Sequence, residues 1–224
     1  MINLPLFKWE IRRYAVVYGL FLLFTLAGFV ALLFFMPFSG NWEEHPFFHV
    51  GFIMALFWGA GIFTREIRQG TIMEFLIARP VSREQFFNTV ILAEALPIVL
   101  IMFLPFIYAA ALSPWIEFDL SLIRLFFIDA LAATWVFTVF LLGISLGQFL
   151  VSRKNSRYGW AAQAFIFGVL TAVFMNLGNI MKEYYWANLS WLAANHPFIS
   201  GAVSLAVAYA LYRLGLYRLK RIDI

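Results

Sequence analysis

The sequence predicts an all-α integral membrane protein with six transmembrane helices, and three observations carry that prediction. Apolar residues fill 63% of the 224 positions and charged residues only 12%, against roughly 45–50% and about 25% in ordinary soluble domains. Uncharged stretches recur at lengths that match a hydrocarbon core, which takes about 20 helical residues. Lys and Arg gather in alternate loops, as they do where one side of a membrane retains the basic segments. A soluble sphere of this size could not hide 27 phenylalanines without exposing large apolar patches. Six helices of about 20 residues use roughly 120 positions, so no sizeable aqueous domain remains. With no internal repeat or low-complexity tract, the chain reads as a single transmembrane domain over 1–224.

The elements follow in order. Met1 to Arg13 mixes Lys8, Arg12 and Arg13 with Leu4, Leu6, Phe7, Trp9 and Ile11, which predicts an interfacial elbow helix over 1–13. Residues 14–36 carry no charge and exceed a signal-peptide core. Phe34-Phe35-Met36-Pro37 offers no small-residue cleavage site, so an uncleaved first span is expected. Further spans are expected at 47–63, 87–112, 125–151, 159–181 and 198–217. The third contains Pro97 and Pro105, which should kink it, and the last contains Arg213, which can snorkel to the headgroups. Residues 64–86 form an amphipathic stretch stopped at Pro80 and restarted by Ser82 as an N-cap, a short cytoplasmic helix. Residues 182–196 place Tyr184, Tyr185, Trp186, Leu189, Trp191 and Leu192 among polar neighbours, which reads as an outer interfacial or re-entrant segment before the sixth span.

Charge placement sets the orientation. The first end, the segment 64–86, the loop 152–158 and the tail hold 14 of the 16 Lys and Arg residues. The other loops hold only Arg124 and Lys182, together with Glu43, Glu44, Glu117, Asp119 and Glu183. Both termini are therefore expected in the cytoplasm. Small residues at four-residue spacing mark expected packing faces, either within the chain or at a subunit interface along a translocation path: Gly51, Ala55 and Gly59; Gly143 and Gly147; Ala164, Gly168 and Ala172; Ala202, Ala206 and Ala210.

Several chemistries are narrowed by residue type. None of the four lysines follows a glycine, so the chain lacks a phosphate-cradling Gly-Lys-Ser/Thr loop, and any ATP site must lie on another chain. No nucleic-acid partner is indicated. The absence of cysteine removes thiolate metal sites and Cys nucleophiles. Gly143-Ile144-Ser145-Leu146-Gly147 matches the Gly-x-Ser-x-Gly pattern of hydrolases, but inside a helical span, where packing explains the same residues. His45 and His49 have helical metal-pair spacing beside Glu43 and Glu44, yet Pro46 lies between them and an interfacial loop accounts for them. Glu94 lies well inside the third span, where an ionisable group is costly unless it faces protein or water. It either lines a transport path or pairs with a basic residue near the cytoplasmic rim. Asp129, five residues after Arg124, reads as an interfacial group.

The segment Gly70-Thr71-Ile72-Met73-Glu74-Phe75-Leu76-Ile77-Ala78-Arg79-Pro80-Val81-Ser82-Arg83, just after the second span, resembles the cytoplasmic motif of type-2 (ABC-2-like) ABC exporter permeases. Gly70-Thr71 stands one residue further from Pro80 than in that pattern. The elbow, the six spans, the aromatic segment before the last span and the basic tail are similar to that family across the whole chain. The resemblance implies a permease subunit without catalytic activity of its own, paired with an identical or different second permease. ATP and Mg would be held by separate cytoplasmic ABC ATPase subunits. It implies that the segment 64–83 and the elbow are the surfaces the ATPases push, with Arg65, Glu66, Arg68, Gly70, Thr71, Glu74, Arg79, Pro80, Ser82 and Arg83 in the coupling segment. A solvated face is the plainer account of those charges. It implies a prokaryotic cytoplasmic membrane and leaves the cargo open. Two other classes remain at this point: an energy-independent membrane scaffold or assembly factor, and an ion-coupled carrier or intramembrane enzyme using Glu94 or Ser145.

Overall fold

A computed structural model describes residues 2–35, 51–52, 54–61, 81–114, 121–150 and 195–221. Among these, all regular secondary structure is helical. The helices are α1 (Leu4–Phe35), α2 (helical at 51–52 and 54–61), α3 (Arg83–Met102), α4 (Leu104–Leu112), α5 (Leu122–Leu150) and α6 (Pro197–Arg221). Three of them, α3, α5 over Leu122–Gln148, and α6, are long and apolar enough to cross a membrane. The expected span 159–181, most of the expected outer segment 182–196 and residues 64–80 of the expected cytoplasmic segment lie outside the described residues.

Capping chemistry fixes where the helices begin. The Asn3 side chain accepts from the Leu6 amide at 3.0 Å, an N-cap that starts α1. The expected elbow and the first span are one continuous helix of 32 residues, about 48 Å long. This corrects the expectation of a separate elbow over 1–13. The physical reason is that no Pro or Gly interrupts the run from Leu6 to Tyr18, and the face of Leu6, Glu10 and Tyr14 is buried against protein. At α3, Ser82 and Gln85 form a reciprocal capping box: the Gln85 amide donates to Ser82 Oγ at 3.1 Å and the Ser82 amide to Gln85 Oε1 at 3.2 Å. The expected restart at Ser82 is thus observed. At α5, Ser121 Oγ accepts from the Arg124 amide at 3.3 Å, so the helix begins three residues before the expected boundary.

The expected third span, 87–112, is two helices. The chain continues helically through Pro97 and breaks at Phe103, whose amide bonds the Leu100 carbonyl at 3.0 Å in a tightened turn. Pro105 follows in the first turn of α4. It has no N–H to give the Ile101 carbonyl, and a proline ring in a continuous helix would crowd that carbonyl, so the helix restarts just before it.

The chain forms two compact units, Met1–Ala55 with Val81–Phe137, and Leu56–Pro80 with Thr138–Ile224. In the first, α1 packs on α3. The Asn3 amide donates to Thr89 Oγ1 at 2.9 Å, and that hydroxyl donates to the Gln85 carbonyl at 2.6 Å. Leu92, Leu96 and Leu100 form an exposed stripe on α3, while Val90, Glu94, Ile98 and Ile101 are buried. Gly51 also lies in this unit, against Met102.

In the second unit, Gly59, Gly143 and Gly147 hold backbones in contact. A methyl group at Gly59 would overlap the Phe140 carbonyl, one at Gly143 the Leu56 carbonyl, and one at Gly147 the Ala60 carbonyl. Here the four-residue spacing marks a packing face, as expected. On α6 the expected stripe does not pack within the chain. Ala202, Ala206 and Ala210 are exposed, and the buried stripe is Ser200, Ser204 and Ala208. Two residues along a helix turn a side chain by about 200°, so the two stripes lie on nearly opposite faces.

Candidate functional site

The polar side chains buried between apolar helices are the groups whose position needs a chemical account, because an unsatisfied polar group at such depth costs about 1–3 kcal/mol or more. In the first unit these are Glu10, Thr89, Glu94 and Asp129, and in the second Thr138, Ser145, Gln148, Ser200 and Ser204.

Glu94 is 1% exposed. Leu92 and Leu96, two residues either side, belong to the exposed stripe, so the helical turn sends Glu94 to the opposite face, among protein. Glu10, on the buried face of α1, is 2% exposed. That face was legible as the four-residue series Leu6, Glu10, Tyr14, yet an interfacial elbow would leave Glu10 in the headgroup layer.

Asp129, read from the sequence as an interfacial group, is fully buried in protein. Its Oδ2 accepts from the Phe106 amide at 2.9 Å. Phe106 is the third residue of α4, and the first amides of a helix have no partner within it. The proline break therefore creates a donor, and a carboxylate from α5 satisfies it at the positive end of the α4 dipole. Phe126, one turn earlier on α5, packs its ring 5.7 Å from Phe103 and 5.3 Å from Phe106. The break is thus fixed by the hydrogen bond from the Phe106 amide to Asp129 and an aromatic cluster.

In the second unit, Thr138 Oγ1 lies 2.8 Å from Ser204 Oγ and donates to the Ser204 carbonyl at 3.1 Å. This joins α5 to α6 with buried hydroxyls. Further along, Arg218 Nη1 donates to the Ser145 carbonyl at 3.2 Å. Ser145, centre of the Gly-x-Ser-x-Gly pattern, is 5% exposed inside α5, not on the strand-to-helix turn that a hydrolase nucleophile requires. Arg213 is exposed, with its guanidinium 6.0 Å from the Tyr209 ring.

Of the expected coupling residues, Ser82 is the exposed cap of α3 and Arg83 begins that helix. Arg65, Glu66, Arg68, Gly70, Thr71, Glu74, Arg79 and Pro80 lie outside the described residues, as do His45 and His49. Among the described residues no group of three His, Asp or Glu is placed to hold a metal. No protein-family model matches the chain, and neither a curated protein nor a solved structure matches it.

Proposed function

We propose that this chain is the membrane-spanning permease subunit of an ATP-dependent exporter, coupled to a separate ATPase through residues 64–83. The observation that carries the reading is the run from Gly70 to Arg83, basic and amphipathic between two apolar segments, which leads directly into the Ser82 capping box. A force applied to a short helix is transmitted to a span only if the junction is stiff. Two reciprocal hydrogen bonds fix the start of α3, where such a force would enter. The gathering of 14 of the 16 Lys and Arg residues in the two ends, the segment 64–86 and the loop 152–158 supports a cytoplasmic location for this segment and both termini. A permease pair over two ATPases, in a prokaryotic cytoplasmic membrane, completes the proposal.

The test is charge reversal in the coupling segment. With the partner ATPase co-expressed, Arg68→Glu and Glu74→Arg are expected to leave ATP hydrolysis in place while transport falls. Normal transport in both variants would remove the coupling surface. A second reading, an ion-coupled carrier, is supported by the burial of Glu94 on a helix of bilayer length. It predicts that Glu94→Gln abolishes transport that proceeds without ATP.

A further inference from the structure

Among the described helices of bilayer length α6 is the least covered: 28% of its apolar window is buried, against 61% in α3 and 50% in α5. Along its uncovered surface runs a row of residues four positions apart, Leu205, Tyr209, Arg213, Tyr217 and Arg221, every one exposed. Four residues bring a helix round to within about 40° of its start. Each member therefore lies beside the next, and the row winds slowly toward the C-terminal end. It begins apolar and ends as an alternation of aromatic rings and cations.

The two guanidiniums contact rings. That of Arg213 stands 6.0 Å from the Tyr209 ring centroid and that of Arg221 4.3 Å from the Tyr217 ring. A ring face attracts a cation but carries no net charge, so it leaves the charge uncompensated. Among the described residues neither arginine has an ion pair or a hydrogen bond, and α6 contains no Asp or Glu. Arg213 lies four residues, about 6 Å of helical rise, inside Tyr217, where the apolar run of α6 ends. An exposed charge at that depth faces the edge of the hydrocarbon, where it is costly without a counter-charge.

The order of the row matches one kind of molecule. An anionic phospholipid has an acyl chain, then a polar glycerol region, then a phosphate, and the row offers Leu205, then tyrosines suited to the interface, then guanidiniums whose N–H forks suit phosphate oxygens. An acidic soluble partner would match only the terminal Arg221. We propose that Tyr209, Arg213, Tyr217 and Arg221 form a docking surface for an anionic phospholipid, with the phosphate beside Tyr217 between the two guanidiniums. Arg213 and Arg221 are eight residues apart, so such a phosphate stands about 6 Å of rise from each. The Arg213 contact with Tyr209 is at the outer limit for a cation–π attraction, and the side chain turns from it to the headgroup at little cost. The surface rests on α6 lying in a bilayer and not on the exporter reading, so binding is measured on the full chain without any ATPase.

The full chain in mild detergent is titrated with dioleoylphosphatidylglycerol and with dioleoylphosphatidylcholine, and retained lipid is followed by native mass spectrometry. Phosphatidylglycerol is expected to be retained in preference to phosphatidylcholine. Arg213→Met and Arg221→Met should each weaken its retention about fivefold, and the two together tenfold or more. Lys8→Met with Arg12→Met removes the same two charges from exposed positions on α1 and should change retention less than about threefold. The proposal is overturned if the two lipids are retained alike, or if the α1 pair costs as much as the α6 pair, which would mean that net charge alone attracts the lipid. It is also overturned if the chain is recovered as a dimer without bound lipid and the α6 pair of substitutions makes it monomeric, since the row would then be covered by a second copy.

Discussion

Asp129 and Pro105 form a matched pair: the proline interrupts the helix, and the carboxylate accepts from an amide that the interruption leaves over. Loss of this buried hydrogen bond leaves the Phe106 amide unsatisfied, which costs about 1–3 kcal/mol. Asp129→Ala should therefore lower the stability of the detergent-solubilised protein by about 2 kcal/mol, read as a fall in Tm. Asp129→Asn keeps an acceptor oxygen and should lose less than half as much. Equal losses in the two variants would mean that the Phe106 contact is not what the carboxylate supplies. The sequence could not reveal this role, because the partner amide lies 23 residues away along the chain and becomes a free donor only once the helix breaks. The Ser82 cap was legible because its chemistry is local: Ser, then Gln three positions on, after a proline.

Elements are organised by how closely backbones approach. Gly59 and Gly143 each face a carbonyl of the opposite helix, so Gly143→Ala must push α2 and α5 apart and should cost about 1–3 kcal/mol. Gly61→Ala meets nothing within 4 Å and should be neutral or slightly stabilising, since alanine is the better helix former. Thermal unfolding of the two variants side by side checks the contrast. On α6, Ser204→Leu should disrupt packing against Thr138, whereas Ala206→Leu, on an exposed face, should be tolerated. This helix also shows the limit of spacing arguments. Two series of small residues with the same period run along it two positions apart, and spacing alone cannot say which faces protein. The buried one contains Ser200 and Ser204, whose hydroxyls need partners that lipid cannot provide. Polarity was therefore the better guide than residue size. On α1, the charges suited an interfacial helix, but the continuous helix carries Glu10 into the protein instead.

At the scale of the molecule, composition foresaw an all-helical protein with helices of bilayer length, because solvent preference is a bulk property that 63% apolar residues express directly. The proposed coupling role of residues 64–83 rests instead on a sequence pattern that acts through a partner, which the packing of a single chain does not encode. The orientation proposed from charge placement is open to direct test. Single cysteines introduced at Arg68, Lys154 and Lys220 into this cysteine-free chain should resist an impermeant thiol reagent in intact cells and react after permeabilisation. Labelling of any of them in intact cells would invert the assignment for that segment.

The central claim is that the chain works as the membrane half of an ATP-driven exporter. Its most direct test is gentle solubilisation of the tagged protein from its own cells, identification of the subunits that co-purify, and assay of the complex for ATP hydrolysis. The account predicts recovery of a soluble ATPase bearing a Gly-Lys-Ser or Gly-Lys-Thr phosphate loop, with hydrolysis present in the complex and absent from the isolated chain. Recovery of the chain with no ATPase in several mild detergents, from cells in which it is active, would contradict the claim and make Glu94 the first residue to substitute.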